Sequence, residues 1–136
     1  MLLMGFEGHS NTPYYPLAGD ALTVCYGETQ GVKKTDWFSD KQCLQKLQRK
    51  AEALAFRVDA LVKTDVSTYR RGALISFMYN VGETRFREST LLRKLNAGDV
   101  VGACNELPKW VYFQGRKLNG LVARRTTERE YCLKED

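Results

Sequence analysis

The stretch of the chain that decides the fold is residues 39–62, SDKQCLQKLQRKAEALAFRVDALV. From Cys43 to Val62, apolar residues recur at the spacing of one helix face. At its start, Ser39 and Gln42 have the spacing of a capping box, in which each side chain accepts a hydrogen bond from the other residue's backbone N–H. The stretch therefore predicts a long helix, which we expect to link two lobes.

The region before this helix, residues 9–34, is predicted to be rich in β-structure. Turn formers and β-formers are mixed there, and Leu22–Tyr26 has the composition of a strand. We expect a small hairpin or a three-stranded sheet.

The region after the long helix is predicted to be helical. The expected helix caps are Ser67, Asp99 and either Ser89 or Thr90; Gly82 should end a helix, and the last helix should run from about Asn119 to Leu133. The predicted class is α+β with segregated elements, as one domain over 1–136. Its β-rich lobe would span about 9–34 and its helical lobe about 39–136, with a ligand in a cleft between them.

The charge balance indicates an affinity for polyanions without naming one. The 136 residues carry a formal net charge of +5, which speeds encounters with nucleic acid, anionic membranes, or a cell wall bearing carboxylates and phosphates. The local basic cluster Arg124-Arg125 fits a solvated helix face or an anion-binding patch. Interleaved aromatic and basic residues, typical of nucleic-acid platforms, are missing. We therefore expect no nucleic-acid partner. The chain is also expected to be a monomer.

No apolar run in the sequence is long enough to span a membrane. The opening Met1–Met4 is too short for a signal-peptide core and has no preceding basic residue. The sequence leaves two expectations open, namely another route to its compartment or an additional N-terminal segment.

The four cysteines, Cys25, Cys43, Cys104 and Cys132, form no CxxC motif, and His9 is the single histidine. This pattern argues against a zinc site, and we expect no metal or other cofactor. Two interpretations stay open, buried thiols in a cytosolic protein or two disulfides in an oxidising compartment. Of the three pairings, Cys25–Cys43 with Cys104–Cys132 is favoured, because each bridge would tie a segment to a helix near it in sequence.

Carboxylates are the candidate catalytic groups, since the sequence has no nucleophile-elbow, phosphate-loop or dinucleotide motif. Glu7 stands out because it follows an apolar stretch, at the end of a short predicted helix, and precedes Gly8. Shielding by Leu3 and Phe6 would disfavour the charged form of this carboxyl group. A carboxyl group that keeps its proton can donate it to a leaving-group oxygen. The alternative is an ordinary surface glutamate at a helix end.

Several segments together resemble the phage lysozymes of glycoside hydrolase family 24, in order and over nearly the whole chain. The N-terminal and central segments are Phe6-Glu7-Gly8, Thr23–Gly27, Phe77–Thr84 and Ser89–Asn96. The C-terminal part is similar to lambdoid, secretion-type endolysins, through Gly102–Cys104, Trp110, Gly120-Leu121 and Arg124-Arg125 to Leu133.

The resemblance implies a lysozyme-like fold, with a small sheet lobe joined by a long helix to a helical lobe. It implies hydrolysis of the β-1,4 bond between N-acetylmuramic acid and N-acetylglucosamine in peptidoglycan, for host lysis. The enzyme would be made in the host cytoplasm and act in the periplasm. Glu7 would be the general acid and Thr23 the hydroxyl that holds the attacking water. A second carboxylate would activate that water.

The sequence departs from the family where this second carboxylate belongs. The family has Asp or Cys nine residues after the glutamate, but here that residue is Pro16, and Thr23 lies one residue farther on than expected. The nearest substitute is Asp20, three residues before Thr23. Asp20 fits either a rebuilt loop that supplies the base or a common turn. A single carboxylate would suit a lytic transglycosylase, and loss of the base a catalytically impaired peptidoglycan-binding protein.

Family position also implies substrate contacts, from Gly27, Thr29, Tyr79 and Ser89. Three of them have an ordinary alternative, because Gly27 fits a turn, Tyr79 the core and Ser89 a helix cap. Trp110 is expected in the core rather than as a platform for a sugar ring.

Overall fold

The computed structural model describes residues 5–16 and 20–136. The elements in chain order are β1 (Ser10–Tyr14), β2 (Thr23–Cys25), α1 (Asp40–Leu61), α2 (Thr68–Val81), α3 (Glu83–Arg87), α4 (Thr90–Asn96), α5 (Val100–Cys104), a 3₁₀ turn (Leu107–Lys109), β3 (Tyr112–Phe113), β4 (Arg116–Lys117) and α6 (Asn119–Leu133). The predicted α+β class is confirmed. Leu3, which was expected to shield Glu7 together with Phe6, lies outside the described residues.

The long helix predicted from residues 39–62 is α1, and its capping box is formed. The Ser39 backbone N–H donates to Gln42 Oε1 at 2.8 Å, and the Gln42 N–H donates to Ser39 Oγ at 3.1 Å. The chain divides into two compact units within this helix, unit 1 (Met1–Ala53) and unit 2 (Leu54–Asp136). The predicted lobes instead had their border before the helix. None of the helices in the described ranges is both long and apolar enough to cross a membrane.

Unit 1 is built on the antiparallel pair β1–β2. Ser10 lies opposite Cys25 and Tyr14 opposite Thr23, with an irregularity in between. Val24 forms a further bridge to Glu28 through two backbone hydrogen bonds of 2.9 Å. A small core of Val24, Cys25 and Cys43 joins this sheet to α1, since Cys43 lies in its first turn. Of the two predicted arrangements, the hairpin-like pair is the one observed.

Unit 2 is helical, and the predicted caps begin its helices. Backbone N–H groups donate to Ser67 Oγ (3.0 Å), Ser89 Oγ (3.1 Å) and Asp99 Oδ1 (2.9 Å) at the starts of α2, α4 and α5. Gly82 ends α2 with a φ of +91°, a conformation that costs glycine little. The elements that the sequence did not predict are α3, the 3₁₀ turn and the β3–β4 hairpin.

The core of unit 2 is apolar and contains Phe77, Phe86 and Leu91 at 0 to 1% exposure. Trp110 packs against it, with its ring 5.3 Å from that of Phe77 in an edge-on arrangement. The expectation that Trp110 belongs to the core is therefore confirmed.

The structure contains two disulfides, Cys25–Cys43 within unit 1 and Cys104–Cys132 within unit 2. This is the pairing favoured from the sequence, and it leaves no free cysteine among the four. Each bridge ties a segment to a helix, Cys25 of β2 to α1 and Cys104 of α5 to α6.

The double substitution Cys104→Ala/Cys132→Ala is expected to lower the free energy of unfolding by about 3 kcal/mol, because the bridge restricts a long loop in the unfolded chain. The closed loop spans a sequence separation of 28. Urea unfolding followed by circular dichroism measures the loss. Wild type with reductant, which loses both bridges, should be destabilised further. An unchanged midpoint for the double variant would contradict the expectation.

Glu106 provides a pH-dependent contribution to unit 2. It is 7% exposed and accepts hydrogen bonds from Lys109 Nζ at 2.7 Å and Lys94 Nζ at 3.2 Å. The hydrogen bond from Lys109, and then that from Lys94, lowers the pKa of Glu106 below its ordinary value of 4.5, against the opposing effect of burial. Its stabilisation is therefore complete above about pH 4.5 and is lost as the pH falls through the lowered pKa.

We expect wild type to lose about 1 kcal/mol more unfolding free energy than Glu106→Gln between about pH 6 and pH 3. The glutamine cannot ionise, so only the wild type gives up this charge-assisted contact on acidification. Urea titrations at each pH measure the two curves. Parallel curves would show that Glu106 contributes no such pH dependence.

Candidate active site

Thr23 is a buried residue at the start of β2, with 4% of its surface exposed. Its Oγ1 donates a hydrogen bond to the Ala21 carbonyl oxygen at 2.8 Å. A hydroxyl group has one hydrogen to donate and two lone pairs to accept with. Since that hydrogen is directed to Ala21, the Thr23 oxygen is prepared to accept a hydrogen bond, as from a water molecule.

Asp20 lies next to this arrangement and is partly buried. Its Oδ1 accepts a hydrogen bond from the Ala21 N–H at 2.9 Å. This bond places the carboxylate against the residue whose carbonyl orients Thr23. The two candidate side chains are thus held by the two peptide groups of Ala21. The neighbouring Ala18-Gly19 of the predicted turn lies outside the described residues.

Glu7 follows the helical residues Gly5 and Phe6 and is partly buried. It precedes β1 by three residues, and the first residue of β1, Ser10, lies opposite Cys25 of β2. The segment from Glu7 therefore enters the sheet at the Cys25 end of β2, and Thr23 lies at the other end of that strand, opposite Tyr14. Pro16 is exposed and brings no titratable group to the position that the family uses for its base.

The four implied substrate contacts fall in both units. Gly27 has a φ of +85° in the turn after β2, and Thr29 is exposed nearby. Tyr79 is partly buried in α2. Ser89 is 6% exposed and caps α4, and its Oγ donates to the Phe86 carbonyl at 2.7 Å. These contacts match the turn and cap alternatives for Gly27 and Ser89, and their substrate roles remain predictions.

Arg124 and Arg125 are buried, at 6% and 1% exposure, so both interpretations of this pair as a surface feature were wrong. They lie on α6 around Glu128, which is 0% exposed. Arg124 Nε lies 3.2 Å from Glu128 Oε2, and Arg125 Nη1 lies 2.7 Å from Glu128 Oε1. A buried carboxylate needs such compensation, because desolvation of a lone charge is costly.

The same cluster reaches α2 and the 3₁₀ turn. Ser76 Oγ donates to Glu128 Oε2 at 2.6 Å, and Arg124 Nη2 donates to the Ser76 carbonyl at 2.8 Å. Arg125 Nε donates to the Trp110 carbonyl at 2.8 Å. The spacing of these residues could have indicated this role, because residues three and four apart on a helix lie on one face.

No group of three or more His, Cys, Asp or Glu side chains in residues 5–16 and 20–136 is arranged to hold a metal ion. The candidate catalytic groups of unit 1 are two carboxyl groups, Glu7 and Asp20, and the Thr23 hydroxyl.

Comparison with known proteins identifies the family. The model of the phage lysozyme family matches residues 4–128. The chain belongs to the phage lysozyme family. It is 42% identical to a SAR-endolysin of Bacteriophage PS119 over 130 residues, which cover 95% of this chain and 77% of that protein. Membership makes it a glycoside hydrolase of the lysozyme class, and confirms the resemblance seen in the sequence.

Solved structures agree with this assignment of the fold. The muramidase domain of SpmX from Asticaccaulis excentricus superposes with a TM-score of 0.87 at 26% identity, covering 98% of this lysozyme and 92% of that chain. The endolysin from Escherichia coli O157:H7 phage FAHEc1 gives a TM-score of 0.85 at 28% identity, covering 98% and 89%. The expected lysozyme-like fold is confirmed.

Proposed function

We propose that this phage lysozyme is an endolysin that hydrolyses the β-1,4 bond between N-acetylmuramic acid and N-acetylglucosamine. It is made in the host cytoplasm, acts as a monomer on peptidoglycan in the periplasm, and uses no nucleic-acid partner. The family match and the relatives named endolysin and muramidase support the action on peptidoglycan. The observation that carries the catalytic part is the arrangement of Asp20 and Thr23 around Ala21, at the start of the strand that pairs with β1, which Glu7 precedes.

The proposed reaction uses three side chains. Glu7 donates its proton to the glycosidic oxygen as the bond from that oxygen to the anomeric carbon breaks. A water molecule, donating one hydrogen bond to Thr23 Oγ1, attacks that carbon from the opposite face. Asp20 accepts a proton from this water, and the sugar leaves with inverted configuration.

Asp20 is assigned the base because Pro16 cannot take a proton. Its hydrogen bond from the Ala21 N–H uses Oδ1, while a carboxylate has two oxygens with lone pairs. The peptide hydrogen bonds fix Asp20 and Thr23 on the same short segment. We infer that the free carboxylate oxygen and the Thr23 hydroxyl contact the same water molecule.

The products distinguish hydrolysis from the single-carboxylate alternative. Digestion of purified peptidoglycan in ¹⁸O-labelled water should place the label at a new reducing end, detected by mass spectrometry. A lytic transglycosylase would instead release unlabelled 1,6-anhydro ends, and this result would overturn the hydrolase proposal. Uncut glycan would identify a protein that only binds the wall.

We expect Asp20→Asn to lower kcat on peptidoglycan by about 100-fold, because asparagine keeps the shape but cannot accept the proton. A matched control is Asp36→Asn, since Asp36 Oδ2 also accepts a turn hydrogen bond, from the Lys33 N–H at 2.8 Å. The control should retain its rate. If both variants cut at the wild-type rate, Asp20 is a turn residue and not the base.

A further inference from the structure

Unit 1 has a basic groove outside the residues assigned to catalysis. We define the basic groove by its lining, which is Glu28, Gln30, Lys46, Arg49 and Lys50, around a cavity of about 400 Å³. This volume lies in the range of small-ligand sites. The groove carries three cations and one carboxylate, so its lining has a net positive charge.

The three cations come from one face of α1. Positions 49 and 50 follow position 46 by three and four residues, which places both one turn farther along the helix surface that carries Lys46. All the lysines and arginines of unit 1 lie between Lys33 and Lys50, so its positive charge is concentrated in the C-terminal part of that unit's sequence.

The walls of the groove are firmly connected. Glu28 is fixed to Val24 by two backbone hydrogen bonds of 2.9 Å. The adjacent Cys25 is bonded to Cys43, which precedes Lys46 by less than one turn of α1. The Lys46 ammonium lies 4.4 Å from the centre of the Phe38 ring, which orients its side chain. A site built this way loses little conformational freedom when it binds.

From this lining we infer that the basic groove binds the peptide stems attached to the glycan, through the carboxylates and free amino group of a diamino acid residue. Arginine and lysine would contact the carboxylates, and the guanidinium of Arg49 can do so with two parallel hydrogen bonds. Glu28 would accept from the amino group. This mixed lining fits a zwitterion better than a phosphate, which has no cation for Glu28 to contact.

This inference rests on the proposed function, because it assigns the second part of the same substrate. A grip on the stems would orient the strand and slow its dissociation, which matters for an enzyme acting on an insoluble network. The contacts are charge-assisted and partly exposed, so we expect a moderate effect that weakens as salt rises.

The test compares binding to intact sacculi with binding to sacculi whose stems have been removed by an amidase. Lys46→Gln/Arg49→Gln removes two groove cations and keeps the side-chain stems. The control, Lys34→Gln/Lys41→Gln, removes two exposed cations of unit 1 that do not line the groove. Both variants are introduced into this chain carrying Glu7→Gln, so that the sacculi stay uncut, and their folds are compared by circular dichroism.

We expect Lys46→Gln/Arg49→Gln to raise the Kd for intact sacculi about fivefold to tenfold, and the control to change it by less than about twofold. On stripped sacculi, the groove variant and the control variant should bind with equal affinity. Three results would overturn the inference. Both double variants could lose the same affinity for intact sacculi, or the groove variant could lose the same affinity for stripped as for intact sacculi. The protein could also fail to bind sacculi at all. The inference would also be overturned if the groove substitutions weakened binding to phosphatidylglycerol vesicles but did not weaken binding to the peptide stems. Since the readout is binding, failure of the proposed hydrolysis appears separately, in the ¹⁸O digestion.

Discussion

Replacing Glu7 by glutamine is expected to lower kcat on peptidoglycan by about three orders of magnitude, with little change in stability. Glutamine has the shape of glutamic acid but no acidic proton, so the leaving oxygen would depart as an alkoxide. General acid catalysis is worth about 10²- to 10⁴-fold. The measurement is the rate at which a suspension of outer-membrane-permeabilised Gram-negative cells loses turbidity.

The matched control is Glu52→Gln, which neutralises an exposed glutamate on α1 in the same unit. It should clear cells at the wild-type rate and thereby exclude an effect of net charge on wall binding. Circular dichroism and urea midpoints should coincide for all three proteins. If Glu7→Gln clears cells as fast as wild type, Glu7 is not the acid and the proposed reaction is wrong.

The second large effect is expected in stability, from Glu128→Ala. This substitution leaves Arg124 and Arg125 buried without the carboxylate that faces both of them. Ser76 Oγ also loses its acceptor. Removal of one partner from a buried ion pair typically costs 3–5 kcal/mol, because the remaining charge stays desolvated. We expect a loss of about 4 kcal/mol in unfolding free energy, measured by urea denaturation.

Glu130→Ala provides the comparison, since Glu130 is exposed on the same helix, two residues farther on. Its effect should stay within about 0.5 kcal/mol. The cost at Glu128 should also shrink when the arginines are replaced with it. A loss at Glu128 below about 1 kcal/mol would mean that the arginines find other compensation, and would contradict the assigned role of this carboxylate.

The parts of the fold that the sequence predicted are those set by local contacts. The capping box of Ser39 and Gln42 and the caps Ser67 and Asp99 each involve residues three apart, so their spacing suffices to find them. The β3–β4 hairpin and α3 were missed, because each has too few residues to show a periodicity.

The sequence could not predict which polar residues are buried. Arginines 124 and 125 look like a surface cluster in one dimension, and only the packing of α6 against α2 and Trp110 places them inside. Family position selected Glu7 and Thr23, whereas Asp20 could be proposed only from its nearness in sequence. The peptide hydrogen bonds at Ala21 connect Asp20 with Thr23, and their nearness in the sequence could not show these bonds.

The two disulfides have a consequence for how the chain is held together. Each bridge closes within one compact unit, and neither crosses the border between Ala53 and Leu54. The polypeptide of α1 is therefore the sole covalent link between the halves. A single proteolytic nick there would release two separately crosslinked fragments on a non-reducing gel. In an oxidising compartment, either bridge can therefore form without the other.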